Sequence, residues 1–146
     1  PAVIVADKSM DIEPTAESLA GKIIGIQAST IHQAYANEYF GDAAEIRVYQ
    51  TQDEANQDLV SGRIDATQAD SIAMADFVNS DIGTCCEIKG SVENDEAILG
   101  QGVGAGVRKG DNALRESLNK GIAQILEDGT HEEITGRYFD TSIYAE

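Results

Sequence analysis

Strand-like and helix-like segments alternate three times between residues 22 and 77, and this alternation restricts the fold more than any other feature of the sequence. The strands are predicted over 22–27, 45–49 and 63–67, and the helices over 31–40, 53–61 and 70–77. Because short connections of this kind join strands to helices that cover a sheet, the pattern predicts an α/β layer structure with a parallel or mixed sheet.

Further elements are predicted on both sides of this region. The apolar, β-branched run Pro1–Ala6 is typical of a buried strand. From 112 to 126, apolar residues recur on one face of a helix that Gly129 closes, and a last short helix begins at Thr130 and ends near Phe139.

The charge balance excludes two classes of partner. The chain has 10 Lys and Arg against 26 Asp and Glu, a formal net charge of −16, and its basic residues form no cluster. Such a surface repels nucleic acid and anionic membranes. No apolar run approaches the roughly 20 residues that cross a bilayer. The chain starts at Pro1 without a signal sequence, so we expect a mature, trimmed or excised form.

The two cysteines, Cys85 and Cys86, are adjacent. A disulfide between neighbouring residues is strained, since their Cα atoms lie closer than the usual span of about 4.4–6.8 Å. We therefore expect no disulfide framework and interpret the pair as small residues at the edge of a strand. The cysteines leave the cellular compartment open.

Signals for cofactors, metals and catalysis are weak. Gly100–Ala105 satisfies the loose dinucleotide-binding pattern, but 103–108 is predicted to be extended where that pattern requires the start of a helix. His32 and His131 are the only histidines, and neither lies in a metal-binding motif. We predict no cofactor, no metal and no catalytic residue.

The turn 27–30 and Asp70 each allow two interpretations. The turn precedes a helix, whose free N–H groups and positive dipole end suit a carboxylate, although Ser29 or Thr30 can equally act as a simple N-cap. Asp70 can cap its own helix or bind an ammonium group. Both features follow the carboxyl ends of predicted neighbouring strands, where ligands collect in α/β sheets. Together they describe a pocket for an α-amino acid.

The chain resembles the periplasmic solute-binding proteins of polar amino acid ABC transporters, in particular the lysine/arginine/ornithine- and histidine-binding type. The matching phrases occur in the family's order along nearly the whole chain. They are DIEPT at 11–15, SLAGK at 18–22, SGRIDA at 61–66, GVGAG at 102–106 and RK at 108–109, followed by 111–119, 128–130 and 137–140.

The resemblance implies a periplasmic binding protein type II-like α/β fold, in which two hinged lobes close on one amino acid. It also implies that a domain-sized stretch, not in this chain, builds most of the first lobe and carries an arginine for the ligand carboxylate. We expect a hinge strand over 1–13, the α/β second lobe over 14–96, a return hinge strand over 97–110 and C-terminal first-lobe helices over 111–146.

The same resemblance implies ligand-binding positions. Asp70 matches an aspartate that accepts the ligand's α-ammonium group. Ile31 replaces a threonine that meets the carboxylate, so Ile31 offers only its backbone N–H. His32 either tunes a polar ligand side chain or lies solvated on the helix. The full predicted set is Gln27, Ser29, Thr30, Ile31, His32 and Asp70.

We therefore expect the substrate-binding component of a transporter for polar amino acids, basic ones included, without enzymatic activity. The expected location is the periplasm, with the signal peptide outside this chain, and the expected partner is the permease. Two alternatives stay open: a cyclohexadienyl dehydratase-like enzyme, for which His32 is the nearby acid–base candidate, and a ligand-sensing ectodomain. This part of the receptor should bind ligand poorly alone, and its exposed first-lobe helices predict a homodimer.

Overall fold

The computed structural model describes residues 1–139. The chain divides into two compact units, Pro1–Gln101 and Gly102–Glu146. The strands of the first unit are β1 (Ala2–Asp7), β2 (Ile23–Gln27), β3 (Glu45–Tyr49), β4 (Ala66–Asp70) and β5 (Cys86–Ser91). Its helices are α1 (Ile31–Tyr39), α2 (Gln52–Val60), α3 (Ser71–Val78) and the short α4 (Glu96–Leu99), with a 3₁₀ turn at Gly83–Cys85.

The described residues of the first unit form one mixed sheet in the order β3-β2-β4-β1-β5. β3, β2 and β4 are parallel, and Ile24 of β2 pairs with Ile46 and with Ala66. β1 runs antiparallel to both of its neighbours, and its Ile4 lies opposite Gln68. The predicted α/β layer structure is therefore confirmed, in its mixed form.

Each face of the sheet carries a separate apolar core. Successive side chains of a strand point to opposite faces of the sheet, so β1 contributes to both cores. This explains why residues 2–6 of β1 are all apolar. The core under α1 contains Ala2, Ile4, Ala6, Ile12, Leu19, Ile24, Ile26, Tyr35, Ala36, Phe40, Ala66 and Val92. The core under α2 and α3 contains Val3, Val5, Leu59, Ile64, Ala69, Met74, Phe77 and Cys86.

The third predicted strand is displaced in the structure. It was expected over 63–67, but β4 begins at Ala66 and ends at Asp70. The Asp65 side chain accepts a hydrogen bond from the Ile23 N–H at 2.7 Å and so fixes the backbone directly before β4 begins. The following helix then begins at Ser71, with Asp70 as its N-cap.

The return strand expected over 97–110 is absent from the described residues. Glu96–Leu99 is helical, and no strand is assigned between 100 and 110. Gly100 and Gly102 have φ values of 74° and 111°, which interrupt an extended run. Val103 is fully exposed. The alternating glycines therefore build an irregular connection.

The second unit contains α5 (Asn112–Glu127) and α6 (Thr130–Thr135). The α5 stripe, defined as Leu114, Leu118, Ile122 and Ile125, is 37–47% exposed. Gly129 adopts a left-handed φ of 78° between the helices, as expected for a closing glycine. The predicted range 111–146 extends past residue 139, and 140–146 lie outside the described residues. Among the described helices, none is long and apolar enough to span a membrane.

Candidate ligand-binding site

A cavity of about 460 Å³ opens at the carboxyl ends of β2 and β4. These strands are parallel neighbours, so the segments that follow them meet at one edge of the sheet. All six residues predicted from the sequence contribute to its lining. The lining residues are Gln27, Ser29, Thr30, Ile31, His32, Gln52, Ala69, Asp70 and Ala73.

The turn from β2 into α1 is held by its own side chains. Thr30 is the N-cap: its hydroxyl accepts a hydrogen bond from the Gln33 N–H at 3.1 Å and donates one to the Gln27 carbonyl at 2.8 Å. Ser29 adopts a left-handed φ of 59°, and its N–H donates to Oε1 of Gln33 at 2.7 Å. The capping interpretation of this turn is confirmed. The Thr30 hydroxyl is therefore committed to the fold.

Capping leaves other donors at the start of α1. The N–H groups of Ile31 and His32 belong to the first turn, which lacks carbonyl partners within its own helix. The helix dipole adds positive potential at the same place. The Ile31 side chain is 48% exposed and carries no polar atom. The backbone N–H groups of Ile31 and His32 are therefore the donors that the start of α1 presents to an anion.

Asp70 provides the negative charge of the cavity. Its Oδ1 accepts a hydrogen bond from the Ile72 N–H at 2.9 Å, so Asp70 caps α3. The residue is exposed. A carboxylate can accept about four hydrogen bonds, so capping is compatible with binding an ammonium group. Asp70 and the N-terminus of α1 therefore present opposite charges to one cavity.

His32 is partly buried beside Asp70. Burial lowers the pKa of His32 below 6.5, and the charge of Asp70 opposes that shift. Its Nδ1 atom is buried and has no hydrogen-bond partner among the described residues. Burial of the imidazole therefore favours its uncharged form. It does not have the fully solvated position that was one of the two expectations.

Three lining residues, Gln52, Ala69 and Ala73, were not predicted from the sequence. Gln52 is the first residue of α2, the helix that follows β3, and β3 is parallel to β2. Its Nε2 donates to Thr67 Oγ1 at 2.9 Å and to Asn56 Oδ1 at 3.0 Å, which fixes the side chain. The signal that could have identified it is its place directly after the carboxyl end of a strand.

The charges in this cavity suit a zwitterion better than a metal ion. No group of three or more His, Cys, Asp or Glu side chains able to hold a metal occurs among the described residues. A carboxylate side chain and a helix N-terminus complement an ammonium and a carboxylate group, respectively.

Known proteins resemble this chain over nearly its whole length. The family model of the bacterial extracellular solute-binding proteins, family 3, matches residues 3–141. The chain belongs to this family. It is 41% identical over 143 residues to the histidine-binding periplasmic protein of Escherichia coli K12, a match that covers 97% of this chain and 55% of that protein. The chain thus spans about half the length of the curated relatives it matches.

Solved structures of the family share the fold. An ancestral arginine-binding protein bound to arginine superimposes with a TM-score of 0.73 at 29% identity, covering 94% of this chain and 59% of that one. Domain 2 of TmArgBP superimposes with a TM-score of 0.57 at 28% identity, covering 64% of this chain and 100% of that one. The expected family and the periplasmic binding protein type II-like fold are therefore confirmed.

Proposed function

We propose that this chain supplies one side of the amino acid site of a periplasmic solute-binding protein that serves an ABC transporter. The observation that carries the proposal is that Asp70 and the N-terminus of α1 line the same cavity. The ligands are polar amino acids, basic ones included. Relatives named for histidine and for arginine support this class.

The start of α1 receives the ligand carboxylate in this proposal. Because the Thr30 hydroxyl is engaged at 2.8 Å with the Gln27 carbonyl, the carboxylate is bound by the backbone N–H groups of Ile31 and His32. Ser29 shapes the turn through its left-handed φ of 59°. The loss of a hydroxyl at Ile31 therefore costs one hydrogen bond and leaves the anion site in place.

Asp70 receives the α-ammonium group. Its Oδ1 is oriented by the Ile72 N–H at 2.9 Å, which holds the carboxylate at the mouth of the cavity. A hydrogen bond between two charged groups is roughly twice as strong as a neutral one. His32 and Gln52 line the same cavity, and in this proposal they contact the ligand side chain.

In this proposal, the first unit of this chain, Pro1–Gln101, forms the second lobe of the complete receptor. Superposition with an isolated second domain over its full length supports this assignment. A complete receptor of micromolar affinity has about −8 kcal/mol of binding free energy. An open half-site leaves the ligand largely solvated, so this chain alone binds in the millimolar range, near −4 kcal/mol.

The complete protein delivers its ligand to a transporter permease from the periplasm. The name of its relative, the histidine-binding periplasmic protein, supports this location. No enzymatic step is proposed. Incubation with a cyclohexadienyl substrate should give no turnover, and turnover that His32→Gln abolishes would favour the dehydratase alternative instead.

Blocked ligands test the two halves of the proposed site. We expect L-arginine at millimolar concentration to shift the backbone amide NMR signals of Ile31 and His32. Nα-acetyl-arginine lacks the ammonium charge and arginine amide lacks the carboxylate, so each should shift those signals several-fold less. Equal shifts with all three compounds, or shifts confined to other residues, would refute recognition of a zwitterion at this cavity.

A further inference from the structure

The two cysteine sulfur atoms lie within reach of each other, on a part of the first unit that the ligand cavity does not use. Cys85 ends the 3₁₀ turn and Cys86 begins β5. Both are free thiols, and their Sγ atoms are 2.6 Å apart. A covalent S–S bond is about 2.05 Å long. A small displacement of the sulfurs therefore suffices to join them.

The backbone around the pair is held in place. The Lys8 N–H donates to the Cys85 carbonyl at 2.9 Å, and Nζ of Lys8 donates to the Thr84 carbonyl at 2.8 Å. Cys86 pairs with Asp7 on β1, and its side chain is 1% exposed within the core under α2 and α3. The closeness of the sulfurs is thus a consequence of the fold.

We propose that Cys85 and Cys86 are a reversible modification site, at which a disulfide oxidant closes a ring between the neighbouring thiols. The thiolate of Cys85, which is partly exposed, attacks the oxidant R–S–S–R and releases one R–SH. The sulfur of Cys86 then attacks Cys85 and releases the second R–SH. The two electrons lost by the cysteines reduce the oxidant, and the two thiol protons end on its products.

Ring strain makes this disulfide labile. The peptide bond between the residues is trans, which places their Cα atoms about 3.8 Å apart, below the usual span of about 4.4–6.8 Å. Strained disulfides are more easily reduced than relaxed ones. The ring should therefore open with mild thiols, as a redox-sensitive site does and a structural disulfide does not.

The order of the two steps follows from burial. Burial, reinforced by the hydrogen bond with Cys85, raises the pKa of Cys86 to about 12. Only a thiolate attacks, so Cys85 reacts first and the closing step accelerates as the pH rises. The closing step is intramolecular and joins sulfur atoms only 2.6 Å apart. This proximity compensates for the small fraction of Cys86 that is thiolate.

The test uses the reduced chain and oxidised glutathione as the probe. The reaction is quenched with acid and remaining thiols are alkylated, and intact and peptide masses are then measured. We expect a product that lacks two hydrogen atoms, carries no alkyl group and returns to the dithiol with dithiothreitol.

Single-cysteine variants provide the control. Cys85→Ser and Cys86→Ser cannot close a ring, so the loss of two hydrogens must disappear in both. Three results in the wild-type chain would overturn the proposal: stable glutathione on Cys85, a disulfide-linked dimer, or no reaction at any oxidant ratio.

Discussion

Replacing Asp70 separates the two roles that the structure gives this residue. Asp70 caps α3 through one hydrogen bond from the Ile72 N–H at 2.9 Å, and it carries the negative charge of the cavity. Asp70→Asn keeps a capping side chain of nearly equal quality and removes the charge. Asp70→Ala removes both. The two variants therefore differ in stability and agree in their effect on ligand.

The expected magnitudes follow from these contacts. Loss of an N-cap costs about 1 kcal/mol, so Asp70→Ala should lower the free energy of unfolding by that amount, while Asp70→Asn should lower it by less than about 0.5 kcal/mol. A hydrogen bond to a charged group contributes about 1.5–3 kcal/mol. Both variants should therefore weaken binding of L-arginine by roughly 10-fold to 150-fold.

Urea unfolding followed by circular dichroism measures the stabilities, and the initial slope of the amide NMR shifts against arginine concentration measures binding. Asp42→Asn is the matched control, because it removes the same charge from an exposed position beyond the other end of α1. Binding by Asp70→Asn that equals wild type would refute the assignment of the ammonium group to Asp70. Unchanged stability of Asp70→Ala would refute the capping argument.

Further predictions concern pH, packing and association. Burial lowers the folded pKa of His32 below 6.5, so the unfolded chain binds this proton first as the pH falls. In urea melts, stability should therefore decrease as the pH falls below about 6.5, and it should decrease less in His32→Gln; identical pH profiles would contradict the shift. Gln68 is fully buried and its amide atoms have no partner among the described residues; Gln68→Met should stabilise the fold by about 1–3 kcal/mol, and a loss of stability would reveal a hydrogen bond in solution. A Cβ at Gly83 would lie 2.0 Å from the Phe77 carbonyl oxygen; Gly83→Ala should destabilise by about 3 kcal/mol, while the same change at the open helical position Gly121 should stabilise by about 1 kcal/mol, and equal effects would contradict the packing argument. Association of two copies through the α5 stripe stays a prediction: light scattering should show a dimer that Leu118→Lys dissociates, and a monomeric wild type would contradict it.

Local sequence patterns predicted a structural element correctly where the residues that determine it lie within one short segment. β3 was predicted over its observed bounds, 45–49, because apolar and polar residues alternate there. Gly62 follows the end of α2 and has a left-handed φ of 68°, which is typical of a glycine that ends a helix. In these cases steric and capping preferences act between neighbours, so the sequence is sufficient.

The displaced strand shows where local patterns fail. Residues 63–65 are as strand-like as 66–68, but the ladder starts at Ala66 because the Asp65 side chain binds the Ile23 N–H. Gln68 is polar and would have been expected at the surface, yet it lies opposite Ile4 in the middle of the sheet. Both outcomes depend on strands distant in the sequence.

The sequence by itself determined the α/β class, the family and the six candidate residues around the cavity, since these depend on periodicity, turn chemistry and ordered motifs. Only the tertiary structure decided that β1 lies antiparallel between β4 and β5, that Gln52 joins the cavity, and that the sulfur atoms of the two neighbouring cysteines lie 2.6 Å apart. The physical reason is that strand pairing and side-chain packing join residues far apart in the chain, and the free energy that selects among such pairings is collective.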